Sequence, residues 1–202
     1  LSILSSLGFI KKQGRRKMAE PRDTIKIVNV VGSTGIGQEM NLKQLTLALE
    51  GADYDPKRFP GLVYRTKDPK TAALLFRSGK IVCTGAKSID ALHKGVEHVF
   101  QSLRNVGVDV KGTPKIIVQN IVASADLHSS LNLNAVAIGI GLEHIEYEPE
   151  QFPGLVYRLS DPKVVVLLFG SGKLVITGGR TPEDAAIAVD QIVNTLKSLS
   201  LI

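Results

Sequence analysis

Hydrophobic and polar positions along this chain follow one order of elements, and that order is written twice. Residues 25 to 32 are rich in β-branched side chains and predict a strand, and residues 41 to 50 carry apolar side chains at helical spacing. Residues 61 to 66, 71 to 77 and 80 to 84 predict strands separated by an Asp-Pro and a Ser-Gly turn. A long helix then runs from about Ser88 to Val106, with Ile89, Leu92, Val96, Val99, Phe100 and Leu103 on one face. The last helix opens at Thr181-Pro182-Glu183-Asp184, which supplies a capping hydroxyl, a proline at the first helical position and carboxylates in the first turn. Ala185, Val189, Ile192, Leu196 and Leu199 continue its buried stripe.

The duplication is explicit in the letters. Phe59-Pro-Gly-Leu-Val-Tyr-Arg65 recurs as Phe152-Pro-Gly-Leu-Val-Tyr-Arg158, an offset of 93, and 19 of the 27 positions from 59 to 85 are identical at that offset. Upstream, Asn29-Val30-Val31 aligns with Asn120-Ile121-Val122 at an offset of 91. A unit this long exceeds the roughly 20 to 50 residue period of solenoids. Two copies of one small α+β domain are therefore expected, over 18–112 and 113–202, joined near Gly112 to Pro114. Short turns imply antiparallel pairing. Joining the two sheets through equivalent edges gives one continuous sheet with its helices on one face.

A sheet half covered in this way should alternate apolar inward and polar outward, and these strands do not. In Lys80-Ile-Val-Cys-Thr84 the inward positions take Ile81 and Cys83, leaving Lys80, Val82 and Thr84 on the uncovered face. Leu74 and Phe76 share that face while Leu75 points the other way, and Lys173, Val175, Thr177, Leu167 and Phe169 repeat the pattern. The uncovered face is then apolar, carries the amides of Asn29 and Asn120, and is edged by Arg65, Arg158, Lys80 and Lys173. Monomers rarely leave such a patch open unless it binds something. The alternative is a second layer or a dimer partner that covers it.

The DNA minor groove suits such a surface. Its floor offers adenine N3 and thymine O2 as acceptors, sugars line its walls and phosphates its rim. Valine, leucine and threonine can lie on the floor, asparagine can donate there, and arginine or lysine can reach phosphate. Guanine's amino group would meet an apolar surface without a partner, and pyrimidine-purine steps deform at low cost, so A·T-rich sequence is favoured.

Net charge changes this picture little. Of the formal +6, Lys11, Lys12, Arg15, Arg16 and Lys17 supply five, and residues 18–202 carry about +1. The distribution is more telling: residues 18–112 hold 14 basic and 10 acidic side chains, residues 113–202 hold 6 and 9. One cysteine, Cys83, excludes an internal disulfide, and with four scattered histidines it leaves no zinc spacing, so an intracellular protein without metal or cofactor is expected. No apolar run reaches the roughly 18 residues that span a bilayer, so no membrane partner is expected. Residues 1–17 read as an extension or leader before Met18, the alternative being a basic arm that touches phosphates.

The paired Phe-Pro-Gly-Leu-Val-Tyr-Arg and Leu-Phe-x-Ser-Gly-Lys segments resemble the TATA-box-binding protein family, most closely its short archaeal form, over residues 24 to 200. The resemblance implies a saddle whose concave, ten-stranded sheet sits on A·T-rich TATA-box DNA in an archaeal cell, as a general transcription initiation factor. It implies that Phe59 and Phe76 in one copy, Phe152 and Phe169 in the other, insert between base steps and kink the duplex. Asn29 and Asn120 correspond to central groove amides, with Val31, Val122, Val82, Val175, Thr84 and Thr177 beside them and Leu74 and Leu167 on the same surface. Arg65, Lys80, Arg158 and Lys173 take phosphate positions. The family usually carries Gln-Asn in both copies; here Gln119-Asn120 keeps it, and Val28-Asn29 departs. Glu148, Glu150 and Gln151 match the stirrup that meets the B-type initiation factor, through which RNA polymerase is recruited. The acidic second copy would help orient a basic partner there, against the plainer reading of Glu143, Glu146, Glu148 and Glu150 as a solvated edge.

Two other readings are open to the residues. Gly32-Ser-Thr-Gly35-Ile-Gly37, between a predicted strand and helix, has the look of a dinucleotide-binding loop, although copy two has Ala123-Ser-Ala-Asp-Leu-His in its place and alternating βαβ order is missing. The apolar face also suits a protein-interaction or lipid-binding module. Self-association of the free protein as a homodimer fits either use of that face.

Overall fold

A computed structural model describes residues 19–141 and 143–202; the extension read at residues 1–17 lies outside them. After a 3-10 turn at Pro21–Thr24, the first copy comprises β1 (Lys26–Gly35), α1 (Leu42–Ala48), β2 (Ala52–Asp53), β3 (Leu62–Lys67), β4 (Lys70–Leu75), β5 (Lys80–Ala86) and α2 (Ile89–Asn105). The second comprises β6 (Ile117–Asp126), α3 (Leu133–Ile140), β7 (Ile145–Glu146), β8 (Leu155–Ser160), β9 (Lys163–Leu168), β10 (Lys173–Gly179) and α4 (Pro182–Ser198). All ten strands form one antiparallel sheet in the order β2-β3-β4-β5-β1-β6-β10-β9-β8-β7.

The two copies meet at β1 and β6, whose ladder is symmetric: Asn29 stands opposite Val122, and Val31 opposite Asn120. Register shifts leave Val28 and Gln119 as the extra residue of two matched bulges. Local chemistry sets the helix starts. Asn41, Ser88 and Asn132 each accept a backbone N–H from the first turn, and Thr181 with Asp184 forms a reciprocal capping box.

Each copy has its own core on the helix-covered face. α2 lays Val96, Val99, Phe100 and Leu103 against a sheet surface that includes Leu62, Leu75, Ile81 and Cys83, and α4 lays Val189, Ile192 and Leu196 against Leu168, Leu174 and Ile176. Complete burial of one such side chain stabilises by about 1.5–3 kcal/mol, and a dozen large side chains here are sealed from solvent. This covering fixes which strand face remains open.

Some element bounds differ from the sequence expectation: the strand expected over 25–32 spans Lys26–Gly35. The helix expected over 41–50 ends at Ala48, and the strand expected over 71–77 ends at Leu75, so Phe76 projects from the turn. The two-residue strands β2 and β7 escape periodicity altogether. The glycine-rich string is not a loop: Gly32 through Gly35 lie inside β1, paired with β5 and β6. A Cβ on Gly32 would stand 2.6 Å from Leu92 Cδ2, where α2 crosses the strand, so a larger residue would make that leucine shift. No phosphate-cradling turn exists at that place.

Candidate nucleic-acid interface

Strand parity builds the open face row by row. Val63, Leu74, Val82 and Ser33 stand side by side across β3, β4, β5 and β1, and Val156, Leu167, Val175 and Ser124 do so across β8, β9, β10 and β6. A second row carries Arg65, Ala72 and Thr84, matched by Arg158, Val165 and Thr177. Their neighbours Leu75, Ile81, Cys83, Leu168, Leu174 and Ile176 are buried beneath the helices, while the open-row valines, leucines and threonines are only half-buried. Val63, Val156, Ser33, Ser124, Ala72 and Val165 join this face only through register, which sets them at the parity of Leu74 and Val82.

The phenylalanines form two edge-to-face pairs. Phe59 and Phe76 have ring centroids 5.9 Å apart at 66°, and Phe152 and Phe169 are 5.9 Å apart at 69°. Each pair leans over a glycine: a Cβ on Gly61 would lie 2.7 Å from Phe59 Cε1 and 3.1 Å from Phe76 Cε1, and one on Gly154 would lie 2.7 Å from Phe152 and 3.0 Å from Phe169. The Phe-Pro-Gly segment is thus a seat for two rings at each end of the sheet. Phe152 is 39% exposed, high for so large an apolar side chain.

At the centre, hydrogen bonds orient the two amides. Asn29 Oδ1 accepts the Gly85 N–H at 2.8 Å while Nδ2 donates to Thr84 Oγ1 at 3.2 Å. Asn120 does the same with Gly178 at 2.7 Å and Thr177 at 3.2 Å. With the oxygen committed to a backbone donor, each amide offers its remaining N–H, the group that an acceptor-only groove floor requires. Gln119 Nε2 donates to Ser33 Oγ at 2.7 Å. Its counterpart Val28 is 45% exposed and brings no polar group.

Cations edge the face unequally. Arg65 and Lys80 are exposed and make no ion pair among the described residues. Arg158 pairs with Glu146 at 3.1 Å, and Lys173 Nζ lies 3.0 Å from Asp126 Oδ2. Asp126 Oδ1 accepts the His128 N–H at 2.9 Å; that bond, then the Lys173 ammonium, hold its carboxyl below the ordinary aspartate range. A groove of about 590 Å³ runs along this end, lined in part by Lys26, Ser124, Asp126, Phe169 and Lys173.

Glu148, Glu150 and Gln151 come together in the exposed loop between β7 and β8, immediately before Phe152. The Glu148 carbonyl accepts the N–H groups of Gln151 and Phe152, and the Gln151 side chain donates to the Glu148 carboxylate. The four histidines stay apart: His93 and His98 lie on α2, His128 and His144 in loops. Among the described residues, no group of three or more His, Cys, Asp or Glu side chains is placed to hold a metal ion, and no helix is long and apolar enough to cross a membrane.

Comparison with known proteins agrees with this geometry. The family model described as transcription factor TFIID (or TATA-binding protein, TBP) matches residues 24–106 and again 115–199, one match per copy. TATA-box-binding protein E of Halobacterium salinarum is 66% identical over 185 residues, covering 92% of this chain and 100% of the relative. The TATA-box-binding protein of Archaeoglobus fulgidus is 58% identical over 177 residues, covering 88% and 97%. Among solved structures, Methanococcus jannaschii TBP superposes with a TM-score of 0.78 at 53% identity, over 86% of this chain and 98% of that one. With the same ten-stranded sheet, the same internal duplication and relatives of this identity over their full length, the chain belongs to the TATA-binding protein family.

Proposed function

We propose that this protein binds the minor groove of A·T-rich promoter DNA with its open sheet face, kinks the duplex by inserting its phenylalanine pairs, and recruits the B-type initiation factor. RNA polymerase follows through that factor. The observation that supports this reading most strongly is the open face itself: rows of valine, leucine and threonine, two oriented amide donors at the centre and a seated ring pair at each end. Apolar side chains fit a groove floor whose sugars and base edges are dehydrated on contact, and the amide N–H groups match its acceptors. Ring insertion is the family's known mode of bending, brought here by resemblance, and the rings' seats beside the strand ends, before β3 and β8 and after β4 and β9, suit it. Binding, not catalysis, is the use this surface serves.

Glu148, Glu150 and Gln151 are proposed as the contact for a basic surface of the B-type factor. Reversing Glu148 and Glu150 to lysine should abolish the ternary complex while DNA binding survives; unchanged recruitment would remove that assignment. The DNA reading is tested by gel shift on a TATAAA-type duplex against its G·C-substituted counterpart, with circular permutation to measure bending. Equal affinity for the two, or binding without a bend, would refute it. A lipid- or protein-binding use of the face is distinguished by salt, because several phosphate contacts make DNA affinity fall steeply as salt rises.

A further inference from the structure

The two ends of the open face are built from equivalent residues but do not present equivalent charge. Lys80 and Lys173 each open the strand after a Ser-Gly turn, and each stands across the ladder from the last residue of a central strand. For Lys80 that residue is Gly35, which has no side chain; for Lys173 it is Asp126.

Asp126 is held at the rim independently of the lysine. Its Oδ1 is fixed by the His128 N–H at 2.9 Å, and its backbone N–H donates to Thr24 Oγ1 at 2.8 Å. These bonds hold the carboxylate in place, and its Oδ2 stands 3.0 Å from Lys173 Nζ in the free protein. A phosphate approaching Lys80 meets an ammonium that has no ion partner among the described residues. A phosphate approaching Lys173 meets an ammonium and a carboxylate that largely cancel at its distance, with Lys26 in the same groove and the His128 ring 3.7 Å from Asp126 as the other groups facing the carboxylate.

We propose that Asp126 is a built-in competitor for phosphate at Lys173, so that the Lys80 end of the interface grips the DNA backbone with a free cation and the Lys173 end only by giving up its carboxylate partner. This rests on the DNA-binding reading above. The opposite role, in which Asp126 presents Lys173 to the phosphate, predicts effects of the opposite sign.

The test is DNA affinity across a salt series, read by anisotropy of a labelled A·T-rich duplex with the full chain. Asp126→Asn keeps an oxygen for the His128 N–H and removes the charge. It should tighten binding about two- to fivefold at low salt and steepen the slope of log K against log salt by about 0.9, one additional phosphate neutralised. Gly35→Asp places a carboxylate beside Lys80. A Cβ there meets Gly79 O at 3.5 Å and Lys80 Cα at 4.0 Å, ordinary contacts, so a Cβ is accommodated without a clash. This variant should weaken binding and flatten the slope by similar amounts. Weaker binding by Asp126→Asn, or an unchanged slope in both variants with unaltered thermal unfolding, would overturn the proposal while leaving the DNA reading intact. A parent chain that does not bind the A·T duplex at all would overturn both.

Discussion

The Asn120 side-chain oxygen accepts the backbone N–H of Gly178 at 2.7 Å, so the amide cannot turn over without orphaning a backbone donor. Its nitrogen is thereby committed to the open face. Asn120→Asp keeps the acceptor for Gly178 and replaces the outward N–H with a carboxylate oxygen facing groove acceptors. Affinity for an A·T duplex should fall about tenfold or more, in line with about 1–3 kcal/mol for a good base contact, while circular dichroism stays unchanged. Retained affinity in a gel shift would show that the amide is not read.

Gly154 is the seat of the Phe152 and Phe169 rings, and its added Cβ would collide with both. Gly154→Ala should therefore displace the ring pair and reduce DNA bending and affinity together, as should Phe152→Ala and Phe169→Ala. Circular-permutation mobility measures the bend. A variant that loses affinity yet bends the duplex normally would separate the rings from the kink.

Lys173 touches no base in the proposed complex. Lys173→Ala should lower affinity for A·T and G·C duplexes by the same factor, because phosphate contacts carry no sequence information. A change in the ratio of the two affinities would place this side chain in base readout instead.

Stability should depend on pH through the start of α4. The Thr181 backbone N–H, with the Arg180 N–H and the Thr181 hydroxyl adding to it, holds the Asp184 carboxyl below the ordinary range. Because the folded value is depressed, the stabilisation is complete above the unfolded value of about 4. It is lost as pH falls from there through the folded value. Asp184→Ala should lower Tm by about 2–4 °C at neutral pH, corresponding to about 1 kcal/mol for a cap in a chain of this size. The difference from the parent should shrink as pH drops below about 4, checked by thermal unfolding at several pH values.

Cys83 is 1% exposed between β5 and the α2 core, and burial pushes its thiol up. A thiol reagent should modify the native protein far more slowly than the denatured one, by absorbance of the released chromophore. Equal rates would mean that the core opens readily.

Much of the site was legible because duplication supplied a control. Ile81 and Cys83 against Val82 and Thr84 could be assigned to opposite faces only because Leu174, Ile176, Val175 and Thr177 repeat the choice, and burial follows that assignment at all eight positions. What depends on register was not legible. Val63 joins the open face by standing opposite Leu74, and Asp126 meets Lys173 across 47 residues of chain. Neither relation leaves a periodic trace. Gly32 through Gly35 invite the rival loop reading for a related reason, since a glycine beside a helix-to-strand contact at Leu92 looks, in one dimension, like one in a tight turn.

The sheet also has a property that follows from where its strands stop. Both outer strands, β2 and β7, are only two residues long, while the two long strands β1 and β6 occupy the middle, paired to each other. A protein that displays this much bare apolar surface would be at risk of fibrous growth if its borders offered long rows of unsatisfied N–H and C=O groups. Outer strands this brief give another chain little to pair with, so stickiness is concentrated on the broad side.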